Sequence, residues 1–315
     1  MAGQTVHAAI DIGSNSVHLL VAVVAGHHLS PLADESVFLG LGQAADGGGF
    51  GALLRAELAV ALLRYVAIAA RLGAVSLTLV GTEPLRRSPD AAEAIADTER
   101  VLGRPLQVLT HEEEGILTLI GATGGRPVGS ELVVVDIGGG SSEFVVVGPG
   151  RDPIAVGVQV GSARLTARHV RHDPPTAEEV ALLRTATREL VATAPRASPH
   201  DLILVGGTAE NLARLVRAAT RDRALTGELF AHALTILAAE PSTVIAEHYA
   251  IKPARARVLP AGAVIVETIL DHYGVDRASV SAAGIREGTI LAVAAAGETW
   301  RRRLTELARG WVRSA

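Results

Sequence analysis

The segment DIGGGSSEF, Asp136–Phe144, lies between the apolar runs LVVV and VVV. A second copy lies 125 positions earlier (136 − 11 = 125): DIGSNSVHL, Asp11–Leu19, between AAI and LVAVV. In both copies an aspartate ends an apolar run, an Ile-Gly step and small residues follow, and a second apolar run begins. This order is typical of a strand, a tight turn and a second strand. The repeat therefore predicts two related hairpins.

The turns of both hairpins have a composition that suits anion binding. Glycine and serine let backbone N–H groups point into a concavity without an obstructing Cβ, and such concavities hold phosphate oxygens. An aspartate at the strand end can hold a hydrated divalent cation beside the phosphate. Either copy alone is also compatible with an ordinary glycine-rich hairpin. Two copies in register favour two loops that face one ligand across a cleft.

Composition limits the class of protein. The chain has 315 residues, 49% of them hydrophobic, which predicts a large core and, from the length, two domains. The absence of cysteine excludes disulfides, thiolate catalysis and cysteine-ligated zinc. The N-terminus has no basic region of a signal peptide, and no apolar run approaches the roughly 18 residues that span a bilayer. We expect a cytoplasmic protein.

The charge pattern limits how a phosphate could be bound. The net charge is −4, so an anion site must be built locally from backbone N–H groups, arginine and metal. The single lysine, Lys252, is not part of a GxxxxGK string, which excludes a P-loop. The histidines show no metal-ligand spacing such as HExxH.

Two segments of the first half carry candidate catalytic residues. Thr82 and Arg86 follow a predicted strand at 75–80, where an arginine can bind phosphate bidentately, although a solvated arginine is the alternative. In THEEEG, Thr110 and Glu113 form a capping box, and acids in a first turn complement the helix dipole. Glu114 is either part of that charge pattern or a general base that projects into a cleft.

The second half contains a third glycine-rich loop. A strand predicted at 202–205 ends in Gly206 and Gly207, and we expect Thr208 to cap the following helix. A strand, a glycine pair and a helix N-terminus form an anion site by geometry, although an ordinary turn has the same composition. Thr176 and Glu179 predict a second capping box.

Glycine and proline suggest the domain boundary. GATGGRPVGS, residues 121–130, is the predicted hinge, so we expect domains at 1–122 and 123–297. The last stretch, 298–315, reads as an amphipathic helix that packs back on the first domain rather than binding a membrane or nucleic acid. Its apolar residues at helical spacing are Trp300, Leu304, Leu307 and Trp311.

These motifs together resemble the Ppx/GppA phosphatase family, the exopolyphosphatases and guanosine pentaphosphate (pppGpp) phosphohydrolases of the actin, Hsp70 and sugar kinase superfamily. The motifs that carry the resemblance are DIGSNSVHLL, Thr82 with Arg86, HEEEG, DIGGGSSEF, GGTAENLA, LPAGAVIVETIL and SAAGIREGTIL. The resemblance implies an α/β fold of two RNase H-like (actin-like ATPase) domains around a central cleft. It implies mixed sheets whose first three strands are antiparallel, and a short member without the helical C-terminal domains of longer relatives.

The resemblance also implies roles for individual residues. Glu114 matches the glutamate that activates water, and Glu143 is a second catalytic acid that orders the nucleophile or holds Mg²⁺. Asp11 and Asp136, with Glu143, match the metal-binding acids. The matching phosphate-binding residues are Gly13, Ser14, Asn15, Ser16, His18, Arg86, Gly138, Gly139, Gly140, Ser141, Gly207 and Thr208. His18 replaces a more frequent arginine, and Arg87 and Ser88 replace Asp-Ala; we expect these departures to affect affinity more than the reaction.

The implied activity is magnesium-dependent release of terminal orthophosphate from polyphosphate or from pppGpp, a nucleotide of the stringent response. The sequence leaves open which substrate is preferred, the chain length and the oligomeric state, although the family makes a homodimer plausible. Two other functions stay open. An ATP-dependent kinase of the same superfamily would bind ATP at the Gly206 loop, and an actin-like or (p)ppGpp-sensing protein would not need Glu114.

Overall fold

The structure, a computed structural model, describes residues 4–220 and 225–311, without the side chains of residues 218–220. Its elements belong to two units. Unit 1 comprises Met1–Val128, Gly150–Pro153 and Ala283–Ala315, and unit 2 comprises Gly129–Pro149 and Ile154–Ala282.

Each unit contains a sheet built around one copy of the repeat. The strands are β1 (Thr5–Ile12), β2 (Ser16–Ala25), β3 (His28–Phe38), β4 (Ser76–Gly81), β5 (Leu106–Val108), β6 (Leu132–Ile137), β7 (Ser142–Val147), β8 (Ile154–Val158), β9 (Asp201–Val205), β10 (Leu225–Thr226) and β11 (Arg277–Ser281).

The helices are numbered in chain order. They are α1 (Leu41–Asp46), α2 (Gly51–Arg71), α3 (Glu83–Arg87), α4 (Ala91–Leu102), α5 (His111–Thr123), α6 (Ser162–His169), α7 (Ala177–Val191), α8 (Gly207–Thr220), α9 (Gly227–Ala239), α10 (Ser242–His248), α11 (Pro253–Ala256), α12 (Leu259–Tyr273), α13 (Ile285–Ala296) and α14 (Leu304–Ala308).

The two sheets share one topology. In unit 1 the order is β3-β2-β1-β4-β5, with β1, β2 and β3 antiparallel and with β4 and β5 parallel to β1. In unit 2 the order is β10-β11-β9-β6-β7-β8, with β6, β7 and β8 antiparallel and with β9 and β11 parallel to β6. The predicted α/β fold, with mixed sheets whose first three strands are antiparallel, is confirmed.

Alternating side chains of β1 build the two sides of the unit 1 core. Ile10 and Ile12 belong to the same buried cluster as Leu58 and Leu62 of α2. Ala9, on the opposite face of the strand, belongs to a cluster with Ile290 of α13. Because successive strand residues point to opposite faces, this one strand is covered by helices on both sides. The central strands are therefore buried, and their ends carry the polar residues of the repeat.

The chain returns to unit 1 earlier than the predicted domain bounds. The last segment of unit 1 begins at Ala283, whereas we expected it to begin at residue 298. In this segment α13 packs on α5. The close approach needs glycine on both helices: a Cβ on Gly288 would lie 1.8 Å from the carbonyl oxygen of Leu117, and one on Gly121 would lie 2.1 Å from that of Gly284. The first boundary likewise lies at Val128 rather than at residue 122.

The C-terminal stretch is not the single helix that we predicted. Gly297–Arg303 is a 3₁₀ helix, and α14 ends at Ala308. The helix cannot continue because Gly310 takes a left-handed φ of 80° and the N–H of Trp311 donates to the carbonyl of Gly125. Trp300, Leu304 and Leu307 are buried within unit 1, and residues 312–315 lie outside the described part.

Of the three helix N-caps that we predicted, two are confirmed and one is wrong. Thr110 with Glu113, and Thr176 with Glu179, form complete capping boxes. Thr208 does not cap α8, because that helix already begins at Gly207. Among the residues that the structure describes, no helix combines the length and the apolar character needed to cross a membrane.

Candidate active site

The turn of the first hairpin is held by its backbone. Gly13 N–H donates to the carbonyl of Ser16 at 3.1 Å, which closes the turn. The carbonyls of Ser14 and Asn15 accept from the backbone of residues 39–42, at 2.7 to 3.0 Å. Asp11, the second-to-last residue of β1, lies directly opposite His18 of β2. Backbone groups just before and at the start of α1 thus hold the predicted phosphate loop in place.

A buried glutamate links this turn to α3. The Ser14 hydroxyl donates to Oε2 of Glu83 at 3.0 Å, and Glu83 is only 4% exposed. Arg87 pairs with Glu83 and also donates to Oδ1 of Asp46 at 2.6 Å and to the carbonyl of Gly42 at 2.8 Å. Arg87, one of the departures from the family pattern, therefore joins α3 to α1.

Arg86 brings a second predicted residue, Glu114, into the same unit. Its Nη1 donates to the carbonyl of Leu109 at 2.7 Å and to Oε2 of Glu114 at 2.8 Å. Its Nη2 lies 3.0 Å from Nδ1 of His111. Glu114 is 6% exposed and lies in the first turn of α5. β4 and β5 are parallel neighbours whose ends, Gly81 and Val108, are register partners, so the helices that follow them, α3 and α5, begin at the same edge of the sheet.

Glu113 and Glu114, which are adjacent in the first turn of α5, differ in their contacts. Glu113 accepts from the backbone of Thr110 and takes a bidentate ion pair from Arg301, at 2.6 and 2.7 Å. Burial raises the pKa of Glu113, but the hydrogen bonds from Arg301 and Thr110 outweigh it, so the pKa lies below its usual 4.5. Glu113 is therefore a structural residue. Glu114 is the buried carboxylate that contacts Arg86.

His111 is a neighbour of this pair that the sequence reasoning missed. Burial, followed by the charge of Arg86, lowers the pKa of the ring from its usual 6.5, although Glu83 opposes the shift. A neutral ring can accept a hydrogen bond from the guanidinium through Nδ1. The sequence could have indicated that His111 lies near Glu114, because residues three apart on a helix share a face and His111 precedes Glu114 by three.

The turn of the second hairpin repeats the first. Gly138 N–H donates to the carbonyl of Ser141 at 3.0 Å, and the carbonyls of Gly138 and Gly139 accept from Ser162 and Arg164 at the start of α6. A Cβ on Gly161 would lie 2.4 Å from the carbonyl oxygen of Gly139. The residues that we predicted to bind phosphate in this turn, Gly138, Gly139, Gly140 and Ser141, thus form one loop packed against α6.

Two predicted metal-binding acids of unit 2 are neighbours in its sheet. Asp136 of β6 and Glu143 of β7 are register partners. Glu143 is 2% exposed and accepts from the Ser141 hydroxyl at 2.9 Å. Carboxylate oxygens are the ligands that Mg²⁺ prefers, so this donor set fits the ion.

The third glycine loop lies against the same aspartate. Gly206 has a φ of +92°, and a Cβ there would lie 2.5 Å from Oδ1 of Asp136. The hydroxyls of Thr208 and Ser162 lie 3.0 Å apart, which ties α8 to α6. A Cβ on Gly207 would lie 3.4 Å from the guanidinium of Arg255. Within unit 2, the structure therefore brings Asp136, Gly207 and Thr208 to one end of β6 and β9.

Arginines outside the predicted set contribute charge in each unit. In unit 2, burial lowers the pKa of Arg255, and Glu210 opposes the shift. In unit 1, Arg286 of α13 pairs with Asp34, and its charge interacts with that of Asp11; its pKa is raised because these acids and Glu287 outweigh burial. Sequence spacing does not predict the contacts of Arg286 with Asp34 or of Arg255 with Glu210, since these partners lie far apart in the chain.

Comparison with known proteins identifies the family. A model of the Ppx/GppA phosphatase family matches residues 20–296. Exopolyphosphatase 2 of Mycobacterium tuberculosis is 32% identical over 91% of this chain and 98% of its own length. Exopolyphosphatase 1 of Mycobacterium bovis is 28% identical over 90% of this chain and 86% of its own length.

Solved structures agree with this assignment. The crystal structure of the Aquifex aeolicus member of the Ppx/GppA family is similar, with a TM-score of 0.82 and 25% identity, over 94% of this chain and 99% of that one. An exopolyphosphatase from Cytophaga hutchinsonii is similar in fold, with a TM-score of 0.81 and 21% identity, over 91% of this chain and 98% of that one. This chain therefore belongs to the Ppx/GppA phosphatase family.

Proposed function

We propose that this protein is a magnesium-dependent hydrolase that releases terminal orthophosphate from inorganic polyphosphate, from pppGpp or from both. Membership of a phosphatase family supports the reaction class. The mycobacterial relatives, which are named exopolyphosphatases, support polyphosphate as a substrate.

The observation that carries the proposal is the position of Glu114. Its carboxylate is buried at the start of α5 and contacts Arg86, whereas the adjacent Glu113 is held by Arg301. A buried carboxylate beside a phosphate-binding arginine can accept a proton from a water molecule that attacks phosphorus. Glu114 is therefore the proposed base, and Arg86 a proposed phosphate ligand.

Catalysis of phosphoanhydride hydrolysis requires mainly that charge is stabilised and that the attacking water is oriented, with little covalent chemistry by the protein. The glycine-rich turns after Asp11 and Asp136 would supply backbone N–H groups to phosphate oxygens, as would the N-terminus of α8. Arg86 has further guanidinium donors besides those directed to Leu109, Glu114 and His111, because the group carries five N–H bonds. These donors would stabilise the charge that develops during transfer.

Asp136 and Glu143, which are register partners in the sheet of unit 2, are the residues that would hold Mg²⁺. When bound, the ion neutralises phosphate charge and helps to stabilise the leaving oxygen. A readout apart from activity tests this part: addition of Mg²⁺ should raise the melting temperature of the wild type. The variant Asp136→Asn with Glu143→Gln should lose that shift, and an equal shift in both proteins would exclude these acids as ligands.

The activity test compares Glu114→Gln with Glu113→Gln. Phosphate release is measured with Mg²⁺ on long polyphosphate, short polyphosphate, pppGpp and ATP. We expect kcat to fall by about 10²-fold to 10⁴-fold in Glu114→Gln, the range for a general base. Glu113→Gln should reduce stability, because it weakens the pair with Arg301, while turnover per folded molecule stays near that of the wild type.

Unchanged turnover in Glu114→Gln would exclude Glu114 as the base. An absence of turnover on every substrate in the wild type would exclude a hydrolase and favour a protein that only senses the nucleotide. Phosphate transfer from ATP to an added acceptor, without release to water, would favour a kinase.

A further inference from the structure

A buried negative charge lies beside the first phosphate turn. Glu83, at the start of α3, is 4% exposed, and its Oε2 accepts from the Ser14 hydroxyl at 3.0 Å. This charge acts within the candidate site: burial and then the charge of Arg86 lower the pKa of His111, and the charge of Glu83 opposes both. A carboxylate at this place repels the phosphate that the turn is proposed to bind. Binding of phosphate here therefore requires a cation that neutralises the carboxylate.

Arg87 is a cation that neutralises Glu83. The two residues are four positions apart on α3, so their side chains share a face of the helix, and Nε of Arg87 donates to Oε1 of Glu83. The other oxygen of Glu83 accepts from Ser14, so each oxygen has its own donor. The side chain of Glu83 is 5% exposed and that of Arg87 is 25% exposed. Removal of Arg87 alone would leave more of a buried negative charge uncompensated beside the turn.

The same arginine also reaches the other side of the turn. Its Nη2 donates to the carbonyl of Gly42 at 2.8 Å, and the N–H of Gly42 donates to the carbonyl of Ser14 at 2.7 Å. Four residues thus form a closed ring of hydrogen bonds: Ser14, Glu83, Arg87 and Gly42. A Cβ on Gly42 would lie 2.9 Å from the Cβ of Ser14, so the approach is close. Ser14 is therefore held through both its side chain and its backbone.

The ring engages the hydroxyl of Ser14 but leaves backbone donors of the turn available. A serine hydroxyl has a single proton, and that of Ser14 is directed to Glu83. In the part of the chain that the structure describes, the backbone N–H groups of Ser14 and Asn15 donate to no acceptor. Successive backbone N–H groups in such a turn form a concavity that binds anions. A phosphate oxygen can therefore be bound by the backbone while the hydroxyl stays on Glu83.

We propose that Glu83 and Arg87 are positioning residues for this turn, and that the Ser14 hydroxyl is its tether rather than a phosphate ligand. Glu83 holds the hydroxyl, and Arg87 neutralises Glu83, so the backbone N–H groups of the turn face an anion without a repelling charge behind them. This inference rests on the proposed function, because it assigns roles within the same site. It adds two residues outside the turn to those that determine the affinity for the phosphate group of the substrate.

Binding of the imido analogue of tripolyphosphate, which resists hydrolysis, tests the role of the charges. Isothermal titration calorimetry of the full chain with Mg²⁺ gives the dissociation constant. Arg87→Gln should raise this constant by about tenfold or more, because the anion then meets more of the charge of Glu83. Glu83→Gln added to it should return the constant to within about threefold of the wild type, since glutamine still accepts from Ser14 but has no charge. The matched control is Arg64→Gln, an arginine of unit 1 that is 68% exposed, and it should bind like the wild type.

Glu83→Gln alone distinguishes a charge effect from a purely structural one. It removes the repelling charge and keeps an acceptor for Ser14, so we expect the analogue to bind about threefold more tightly than to the wild type. Weaker binding in Glu83→Gln would overturn the proposal, as would a loss in Arg87→Gln that Glu83→Gln does not reverse. Wild-type affinity in Arg87→Gln would also overturn it. Melting temperatures show that each variant is folded at the temperature of the titration.

Ser14→Ala in two backgrounds tests the tether. In the wild type, loss of the hydroxyl releases the turn from Glu83 and should weaken binding by about threefold or more. Glu83→Met with Arg87→Met has neither the acceptor nor the two charges, so Ser14→Ala should have no further effect there. Equal losses of affinity in both backgrounds would show that the hydroxyl binds phosphate directly, and would overturn its assignment as a tether.

Steady-state kinetics on polyphosphate separate this inference from the proposed function. Arg87→Gln should raise KM by about tenfold or more and keep kcat within about threefold, because Arg86 and Glu114 keep their contacts. A fall in kcat with unchanged KM would contradict a role in phosphate binding. A wild type that binds the analogue but releases no phosphate would overturn the hydrolase and not this inference. A wild type with turnover whose variants fail the binding tests would overturn only the inference, and a wild type that does not bind the analogue would overturn both.

Discussion

Arg86 holds Glu114 by the same nitrogen that binds the backbone: Nη1 lies 2.8 Å from Oε2 of Glu114 and 2.7 Å from the carbonyl oxygen of Leu109. The carboxylate is therefore fixed relative to the end of β5 and not only by its own helix. Arginine can make several contacts at once because its guanidinium is a rigid planar fork, whereas lysine is a point charge on a flexible stem.

Replacement of Arg86 should affect both activity and stability. We expect Arg86→Lys to lower kcat/KM for the preferred substrate by at least tenfold, because lysine cannot reproduce the geometry at Leu109, Glu114 and His111. Arg86→Ala should in addition reduce the free energy of unfolding by about 3 kcal/mol, since it removes the cation from a buried pair. Steady-state kinetics and urea denaturation measure the two effects.

A double variant distinguishes the ion pair from general packing. Arg86→Ala with Glu114→Gln should recover part of the stability lost in Arg86→Ala, because no charged carboxylate is then left beside the missing cation. Strictly additive losses in this cycle would show that the pair contributes no coupling energy.

The lowered pKa of His111 predicts that the free energy of unfolding depends on pH. Its pKa is lowered in the folded protein, so between that value and the unfolded value of 6.5 the unfolded chain binds a proton that the folded chain does not. The stability is therefore complete above pH 6.5 and decreases as the pH falls towards the lowered pKa. Glutamine accepts a hydrogen bond but cannot titrate, so His111→Gln should flatten this part of the profile.

Chemical denaturation at several pH values between 5 and 8 measures the effect. The difference between the two proteins at pH 8, where the ring is neutral in both states, provides the reference. An unaltered slope below pH 6.5 in His111→Gln would show that His111 is not the group responsible.

The contact between α5 and α13 should be sensitive to a single methyl group. Gly288→Ala places a Cβ 1.8 Å from the carbonyl oxygen of Leu117, so the two helices must separate. We expect a loss of about 2–4 kcal/mol in the free energy of unfolding, at or above the usual range for overpacking. Gly129→Ala is the control, because a Cβ there meets no atom within 4 Å. Equal unfolding midpoints for the two variants would refute the tight contact.

Thr289, one residue further along α13, offers the opposite change. It is fully buried, and its hydroxyl has no hydrogen-bond partner among the described residues. Valine has the same shape without the unsatisfied group, so Thr289→Val should stabilise the protein by about 1 kcal/mol. Thr268→Val is the control in unit 2: its hydroxyl donates to the carbonyl of Val264 at 2.8 Å, and its loss should not stabilise. A melting temperature below that of the wild type for Thr289→Val would contradict this account.

Features whose signals lie within a few residues of one another could be predicted from the amino-acid sequence alone. The hairpins around Asp11 and Asp136 follow from alternating apolar residues and a glycine turn, and the capping boxes at Thr110 and Thr176 follow from a four-residue pattern. Local backbone geometry fixes such features, so they can be predicted from neighbouring residues.

Contacts between residues that are distant in the chain became visible only in the folded structure. Arg86 and Glu114 are 28 positions apart, and they are neighbours because β4 and β5 pair in parallel. Gly206 contacts Asp136, 70 positions before it (206 − 136 = 70), because β9 pairs with β6. The chain returns to unit 1 at α13 because glycines allow two helix backbones to touch. Strand order and close packing are properties of the whole fold, and no local pattern encodes them.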